Sequence, residues 1–252
     1  MTDPELPITD HLAELRTRIA WVIASWFTCA GASYAWAEEI FGFLLAPALD
    51  ALGTGASLQS IAPTEIFFTY IKCALLAGFI LSLPMFFWQV WAFVAPGLYS
   101  GEKRFVLPFV FSSTLLFTGG AVFGYTIVFP IIFDFFSSFT SDLVISAWTM
   151  REVFSLTTRL FLAFGVAFEL PLLVFFLSIA DIVTPKQLLA FTPYAVLCVF
   201  IAAAVLTPPD VVSQLFLAVP MIVLYLLGVG VAFLVTRKKS KESTTSELTT
   251  KR

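Results

Sequence analysis

Long apolar runs joined by short polar, proline-rich segments set the pattern of this chain. A helix that crosses a hydrocarbon core needs about 20 apolar residues, and on that measure six runs stand out, at 19–37, 66–94, 105–133, 153–179, 194–207 and 211–235. Ahead of the first run, Ile8, Leu12, Leu15 and Ile19 fall on one helical stripe. That spacing predicts a short amphipathic helix over 9–19, capped by Thr9 or Asp10 and leading into the membrane. The segment 38–63 is broken by Pro47, Gly53, Gly55 and Pro63, yet Ile40, Phe41, Leu44, Leu45, Leu49 and Leu52 keep a helical face. It reads as a helix lying on the bilayer surface. Pro84 predicts a kink in the second span, and Gly119, Gly120 and Gly124 predict close helix contact in the third. Between Pro193 and Pro208 little more than 194–206 remains for a fifth span. At 1.5 Å per residue that covers only about 20 Å of a core nearer 30 Å, so a locally thinned bilayer is expected. Thr207-Pro208-Pro209-Asp210 predicts a tight turn with Asp210 capping the sixth span. The Lys-, Ser-, Thr- and Glu-rich stretch 236–252 reads as a disordered tail, which leaves one membrane domain over 1–235.

Composition makes the membrane reading firm. The 252 residues are 59% hydrophobic and 12% charged, with a mean hydropathy of +0.94. This is the profile of an all-α polytopic membrane protein. A formal charge of -3 and the lack of a basic face outside the tail exclude nucleic acid as a partner class. Cys29, Cys73 and Cys198 are dispersed within apolar runs, which fits packed free thiols and not a disulfide or metal cluster. Arg16 and Arg18 followed by an apolar run ending near Ala35-Trp36-Ala37 imitate a secretory signal. The acidic residues ahead of the arginines and the length of the run favour a retained first span. Basic residues alternate by side. Arg16 and Arg18, then Lys103 and Arg104, then Lys186, then Arg237, Lys238, Lys239 and Lys241 mark one face, while the segments facing the other way hold Glu38, Glu39, Asp50 and Glu65, with Arg151 beside Asp142 and Glu152. The positive-inside rule then predicts both termini in the cytoplasm.

Enzymatic readings find little support. His11 is the single histidine and lies outside the spans, so no Ser-His pair or His-rich metal site can be assembled within the membrane, and no phosphate loop is present. No cofactor is expected. Glu169, inside the apolar stretch 161–177, is the first functional candidate, because a charge at the bilayer centre costs at least roughly 2.5–3.5 kcal/mol and such residues face bundle interiors or wet cavities. A hydrogen-bonded acid tying two helices together would also account for it. Lys72 either snorkels outward or serves a solute pathway with Glu169, as a secondary transporter would require. Glu14 and Glu102 are predicted on the same cytoplasmic face, where two carboxylates suit a guanidinium-bearing peptide. A plain alternative exists for each: Glu14 can pair with Arg18 one turn on, and Glu102 can be a solvated charge beside Lys103 and Arg104.

The segments around these acids carry a resemblance. His11-Leu12-Ala13-Glu14-Leu15-Arg16-Thr17-Arg18 resembles the N-terminal signature of the TatC family of twin-arginine translocase receptors. Residues 93–104 (Phe-Val-Ala-Pro-Gly-Leu-Tyr-Ser-Gly-Glu-Lys-Arg) resemble its first cytoplasmic loop, residues 164–171 its fourth span, and Leu206-Thr207-Pro208-Pro209-Asp210-Val211 with Ser213 and Gln214 its last external turn. The likeness runs from about residue 8 to 235 in family order, while the 134–151 loop and the tail match nothing diagnostic. It implies six helices in a curved, glove-like arrangement in a bacterial inner membrane. It also implies binding of twin-arginine signal peptides of folded precursors at Glu14 and Glu102, with Arg16, Pro47, Phe93, Pro96 and Tyr99 shaping the docking surface. Glu169 would face a concave groove, Thr207 and Gln214 would meet single-span partners of the TatA and TatB type, and Asp210 would sit in the external turn. Self-association in a receptor complex and coupling to the proton motive force follow from the same resemblance.

Overall fold

The computed structural model describes residues 8–53, 57–94, 106–140, 147–180 and 182–250, without the side chains of 8–11, 94, 106, 235 and 237–250. In chain order the helices are α1 (Ile8–Ser33), a 3-10 turn (Tyr34–Trp36), α2 (Ala37–Leu52), α3 (Pro63–Val94), α4 (Val106–Phe123), a π-helical segment (Gly124–Val128), α5 (Phe129–Ser137), α6 (Met150–Phe168), α7 (Leu170–Ile179), α8 (Pro185–Leu206) and α9 (Val211–Thr250). The class is all-α, and among the described residues no strand forms beyond an isolated bridge between Gln59 and Thr149. Five helical runs among those residues are long and apolar enough to cross a membrane: Pro63–Phe93, Leu107–Ser137, Met150–Ile179, Pro185–Leu206 and Val211–Leu234. The first expected span lies in α1. Nothing interrupts the backbone between Arg18 and Ile19, so the amphipathic segment and the apolar run form one 26-residue helix. Arg16 and Arg18 occupy its first half, which confines its apolar part to 19–33.

The chain divides into two compact units. One comprises Met1–Ala46, Leu58–Leu115 and Trp148–Arg151, the other Pro47–Ser57, Leu116–Ala147 and Glu152–Arg252. In the first, α1 and α3 run antiparallel. Arg18 Nη1 donates to Gln89 Oε1 (3.1 Å) and Trp26 Nε1 donates to the Leu75 carbonyl (2.8 Å). Between them Gly78 meets α1 so closely that a Cβ there would lie 2.7 Å from the Ala30 Cβ and against the Ala30 backbone. The missing side chain is what lets the two backbones meet, the usual device where no hydrophobic force drives helices together in lipid. At the far end of α3, Trp91 Nε1 donates to Ser113 Oγ (2.9 Å) and its ring stacks on Phe109 at 4.6 Å, joining α4 to α3. At the start of α3, the Glu65 carboxylate accepts from Ile61 N (2.9 Å) and from Arg151 N (2.8 Å). One acid thereby holds the chain leading into α3 and satisfies an N–H in the first turn of α6.

Glycines do the same work in the second unit. Cβ atoms on Gly120 and Gly124 would press 2.8 Å from the Phe168 Cβ and the Phe164 ring, and one on Gly165 would lie 2.5 Å from the Phe117 ring. The third span therefore settles on the fourth through two of the three glycines its sequence offered, Gly120 and Gly124, while Gly119 faces open space. It does not stay a plain α-helix. Pro130 cannot donate to the ladder, and the turn ahead of it widens so that Phe129 N reaches Gly124 O. The fourth span likewise breaks into α6 and α7 at Glu169.

Two expectations give way. The fifth helix begins at Pro185, not at 194: Thr184 and Gln187 form a reciprocal capping box, Pro185 occupies the first turn, and Pro193 is accommodated inside the helix. Its 22 residues extend about 33 Å at 1.5 Å each, so shortness supplies no ground for a thinned bilayer. The backbone of α9 also continues as helix to Thr250, where a disordered tail was expected. After Gly230 neither glycine nor proline occurs to stop it.

Substituting Gly78→Ala is expected to lower stability by about 1–3 kcal/mol through overpacking against Ala30. Thermal unfolding of the detergent-solubilised protein measures it, with Gly119→Ala, which meets open space, as the control.

Candidate functional site

At the end of the α1/α3 pair where α1 begins and α3 finishes, Glu14, Arg16 and Arg18 lie in the first half of α1 and Gln89 and Phe93 in the last turns of α3. Arg18 organises them. It donates from Nε (2.9 Å) and Nη2 (2.6 Å) to the same oxygen, Glu14 Oε1, and from Nη1 to Gln89. The i,i+4 pair anticipated from spacing is thus formed, but it occupies one carboxylate oxygen only. The Glu14 side chain remains 39% accessible, against 22% for Arg18. A half-open carboxylate with one oxygen held in place is an oriented acceptor: an intramolecular cation fixes it, and among the described residues no hydrogen bond to Oε2 forms. Arg16 is exposed on the same stretch of α1, and Phe93 is half-buried one turn beyond Gln89. Pro47 is buried within α2 and belongs to the second unit. Pro96, Tyr99 and Glu102 lie outside the described residues.

Glu169 stands at the α6/α7 break. Pro171 removes the N–H that would have bonded the carbonyl of Ala167, and the chain answers by tightening: Glu169 N donates to Val166 O (3.1 Å) and Leu173 N resumes the ladder on Glu169 O (2.9 Å). The Glu169 side chain is half-buried and its Oε1 is sealed from solvent. Lys72, its proposed counterpart in a transporter, is exposed on α3.

The turn between α8 and α9 forms as the prolines require. Asp210 Oδ1 accepts from Ser213 N (2.6 Å), capping α9. Thr207 is 5% exposed and donates its hydroxyl to Ala203 O (2.8 Å), and Gln214 Nε2 donates to Phe200 O (3.0 Å). Both polar residues expected to meet a partner helix are therefore engaged with α8. Two polar atoms beside them, Asp210 Oδ2 and the hydroxyl of fully buried Ser213, are sealed from solvent with no protein partner among the described residues.

This arrangement recurs in known proteins. The family model described as "Sec-independent protein translocase protein (TatC)" matches residues 10–220. Proteins of that name from Desulforapulum autotrophicum and Koribacter versatilis are 40% and 39% identical, over 94% and 93% of this chain and 87% and 89% of their own lengths. A crystal structure of the twin-arginine translocase receptor TatC superposes with a TM-score of 0.82 at 36% identity, covering 90% of this chain and 99% of that one.

The chain belongs to the TatC family. As a TatC protein it is a component of a protein translocase and a multi-pass membrane protein, and the secondary-transporter reading is not favoured. One charged residue escaped the sequence reading altogether. Arg159 lies within the fourth apolar run, nine residues after α6 begins, and it is exposed. The same rule that singled out Glu169 should have found it.

If Asp210 acts in this TatC chain as a helix cap, Asp210→Asn keeps the acceptor and is expected to leave stability nearly unchanged, whereas Asp210→Ala lowers it by about 0.5–2 kcal/mol. Thermal unfolding of the two variants side by side tests this. An equal loss in both would assign the carboxylate a role beyond capping.

Proposed function

We propose that this chain is the membrane receptor of a twin-arginine translocase, a binder and not a catalyst. Glu14 and Glu102 receive the paired arginines of the signal peptides of folded precursors at the cytoplasmic face, and Arg16, Pro47, Phe93, Pro96 and Tyr99 shape the surface around them. The observation that carries this reading is the Glu14 carboxylate, held by Arg18 through one oxygen and open at the other. An exposed intramolecular pair contributes only about 0–1 kcal/mol. An incoming guanidinium offering two charge-assisted bonds of about 1.5–3 kcal/mol each can therefore share or displace it.

Within the same reading both termini are cytoplasmic, the membrane is the bacterial inner membrane, and α1 supplies the sixth crossing, giving one membrane domain over 1–235. Thr207 and Gln214 meet single-span partners of the TatA and TatB type, exchanging their bonds to α8 for bonds across the interface. Glu169 faces the groove that the translocation site uses, copies of the receptor associate, and the proton motive force drives transport. The likeness to a twin-arginine translocase receptor of known structure supports this assignment.

Crosslinking of a twin-arginine signal peptide to membranes containing Glu14→Ala or Glu102→Ala is expected to fall about tenfold or more, with a twin-lysine peptide as the unspecific baseline. Unchanged crosslinking in both variants defeats the recognition assignment. Rescue of export of a folded twin-arginine reporter, in cells depleted of their own receptor, separates a translocase receptor from a solute transporter or a passive scaffold.

A further inference from the structure

The Arg18 guanidinium divides its donors unequally. Nε and Nη2 both go to one oxygen, Glu14 Oε1 (2.9 and 2.6 Å), and Nη1 goes across to Gln89 Oε1 on α3 (3.1 Å). A guanidinium beside a carboxylate reaches its strongest geometry with two parallel bonds to two different oxygens. The fork is not used that way here. Its third nitrogen is drawn toward the other helix, and the carboxylate is gripped through a single atom.

Gln89 is well placed to exert that pull. It is the one amide or charged side chain between Pro84 and Val94, and a polar group at the end of an apolar run settles where it finds a partner. It stands about three turns after Gly78, on the face of α3 that meets α1, so the close approach at Ala30 also brings Arg18 within its reach. An arginine offers donors only, and the amide must therefore present its oxygen to it. Nε2 then lies 3.9 Å from Met85 Sδ, one turn back on α3. The half-buried Gln89 side chain is thus oriented at both ends of its amide.

We propose that Gln89 is a positioning residue for signal-peptide recognition: by holding Nη1 of Arg18, it keeps the resident guanidinium on one oxygen of Glu14 and leaves the carboxylate able to accept an arginine of the incoming peptide. This rests on the signal-peptide reading above and adds the group that controls access to its acid. Released from Gln89, the Arg18 fork turns to grip both oxygens of Glu14. A cation one turn away on the same helix then competes with the peptide at an advantage, because its binding loses no freedom of association. Gln89 is not itself the docking group. It acts through Arg18, and its effect requires Arg18 to be present.

The test is the affinity of a twin-arginine signal peptide for the full chain in membranes, read from the concentration dependence of crosslinking. Gln89→Leu is expected to weaken it about threefold to fivefold. Gln89→Glu keeps an acceptor for Nη1 and strengthens it, and is expected to bind at least as well as wild type. In an Arg18→Gln background, Gln89→Leu should have no further effect, since the competitor is gone. A residue that merely packs α1 on α3 behaves otherwise, with losses from both substitutions at 89 that persist without Arg18. Wild-type affinity in Gln89→Leu, a loss in Gln89→Glu equal to that in Gln89→Leu, or an equal effect of Gln89→Leu in both backgrounds overturns the proposal. The comparison of Leu with Glu at 89 decides the case even where Arg18→Gln binds too weakly to titrate. Glu14→Ala keeps the two readings apart. If it leaves crosslinking unchanged, the signal-peptide assignment itself fails. If it abolishes crosslinking while Gln89→Leu alters nothing, only the role of Gln89 fails.

Discussion

A backbone amide without a partner costs several kcal/mol in hydrocarbon, and no water is at hand to relieve it. A proline inside a membrane run leaves such a gap, and at several of them the structure shows how the chain responds. Ahead of Pro130 the helix widens into a π turn. Around Pro171 it tightens, so that Glu169 N bonds three residues back. Pro193 stays inside α8, and the turn ahead of it is tied to α9 by the buried Tyr225 hydroxyl, which donates to the Leu188 carbonyl at 2.7 Å. At Pro208 and Pro209 the ladder is abandoned, and Thr207 and Asp210 cap the two ends that result. The polar residues of the intramembrane candidate sites are, in large part, those that carry out these repairs.

That coincidence has a physical basis. A side chain that completes a broken ladder is held in one orientation by the backbone it serves, which pre-organises it for a second contact. Gln214 is held in a similar way by backbone that needs no repair: its amide is fixed on Phe200 O within α8, and its side chain is half-buried. Glu14 shows the same logic outside the membrane, with Arg18 in the role of the backbone. Recognition by such groups is cheap in entropy because the geometry is already fixed. Close helix contact is the other half of the design. Gly78 against Ala30 sets the depth at which α1 meets α3, and with it the level at which Glu14 and Phe93 are presented.

Much of this was legible in advance. The apolar runs, the glycine contacts of the third span, the Asp210 cap and the Glu14–Arg18 pair all follow from local rules of length, spacing and side-chain chemistry. The start of α8 was misjudged because Pro193 was given the weight of a helix boundary. The reciprocal bonds of Thr184 and Gln187 start the helix at Pro185, and the bond from Tyr225 to the Leu188 carbonyl ties that first stretch to α9. The continuation of α9 was missed for the opposite reason, since polar composition argues for solvation and not against helix. Arg159 stands apart from both loop charges, Arg151 and Glu152, and from the buried acid Glu169, inside a run whose mean hydropathy masks a single cation.

Sequence alone determined that this chain crosses a membrane several times as helices, which acids stand in unusual places, and to which family its motifs point. Those properties depend on composition and on contacts within a few residues. Only the tertiary structure decided that, among the described residues, Arg18 engages a single oxygen of Glu14, that Gly78 and Gly120 are contact points while Gly119 meets nothing, that Gln214 is bound to α8, and that Arg159 is exposed. Each of these depends on which face of one helix meets another. Periodicity leaves that choice open in runs apolar on every side, because hydrocarbon and helix are equally acceptable neighbours until the backbones approach.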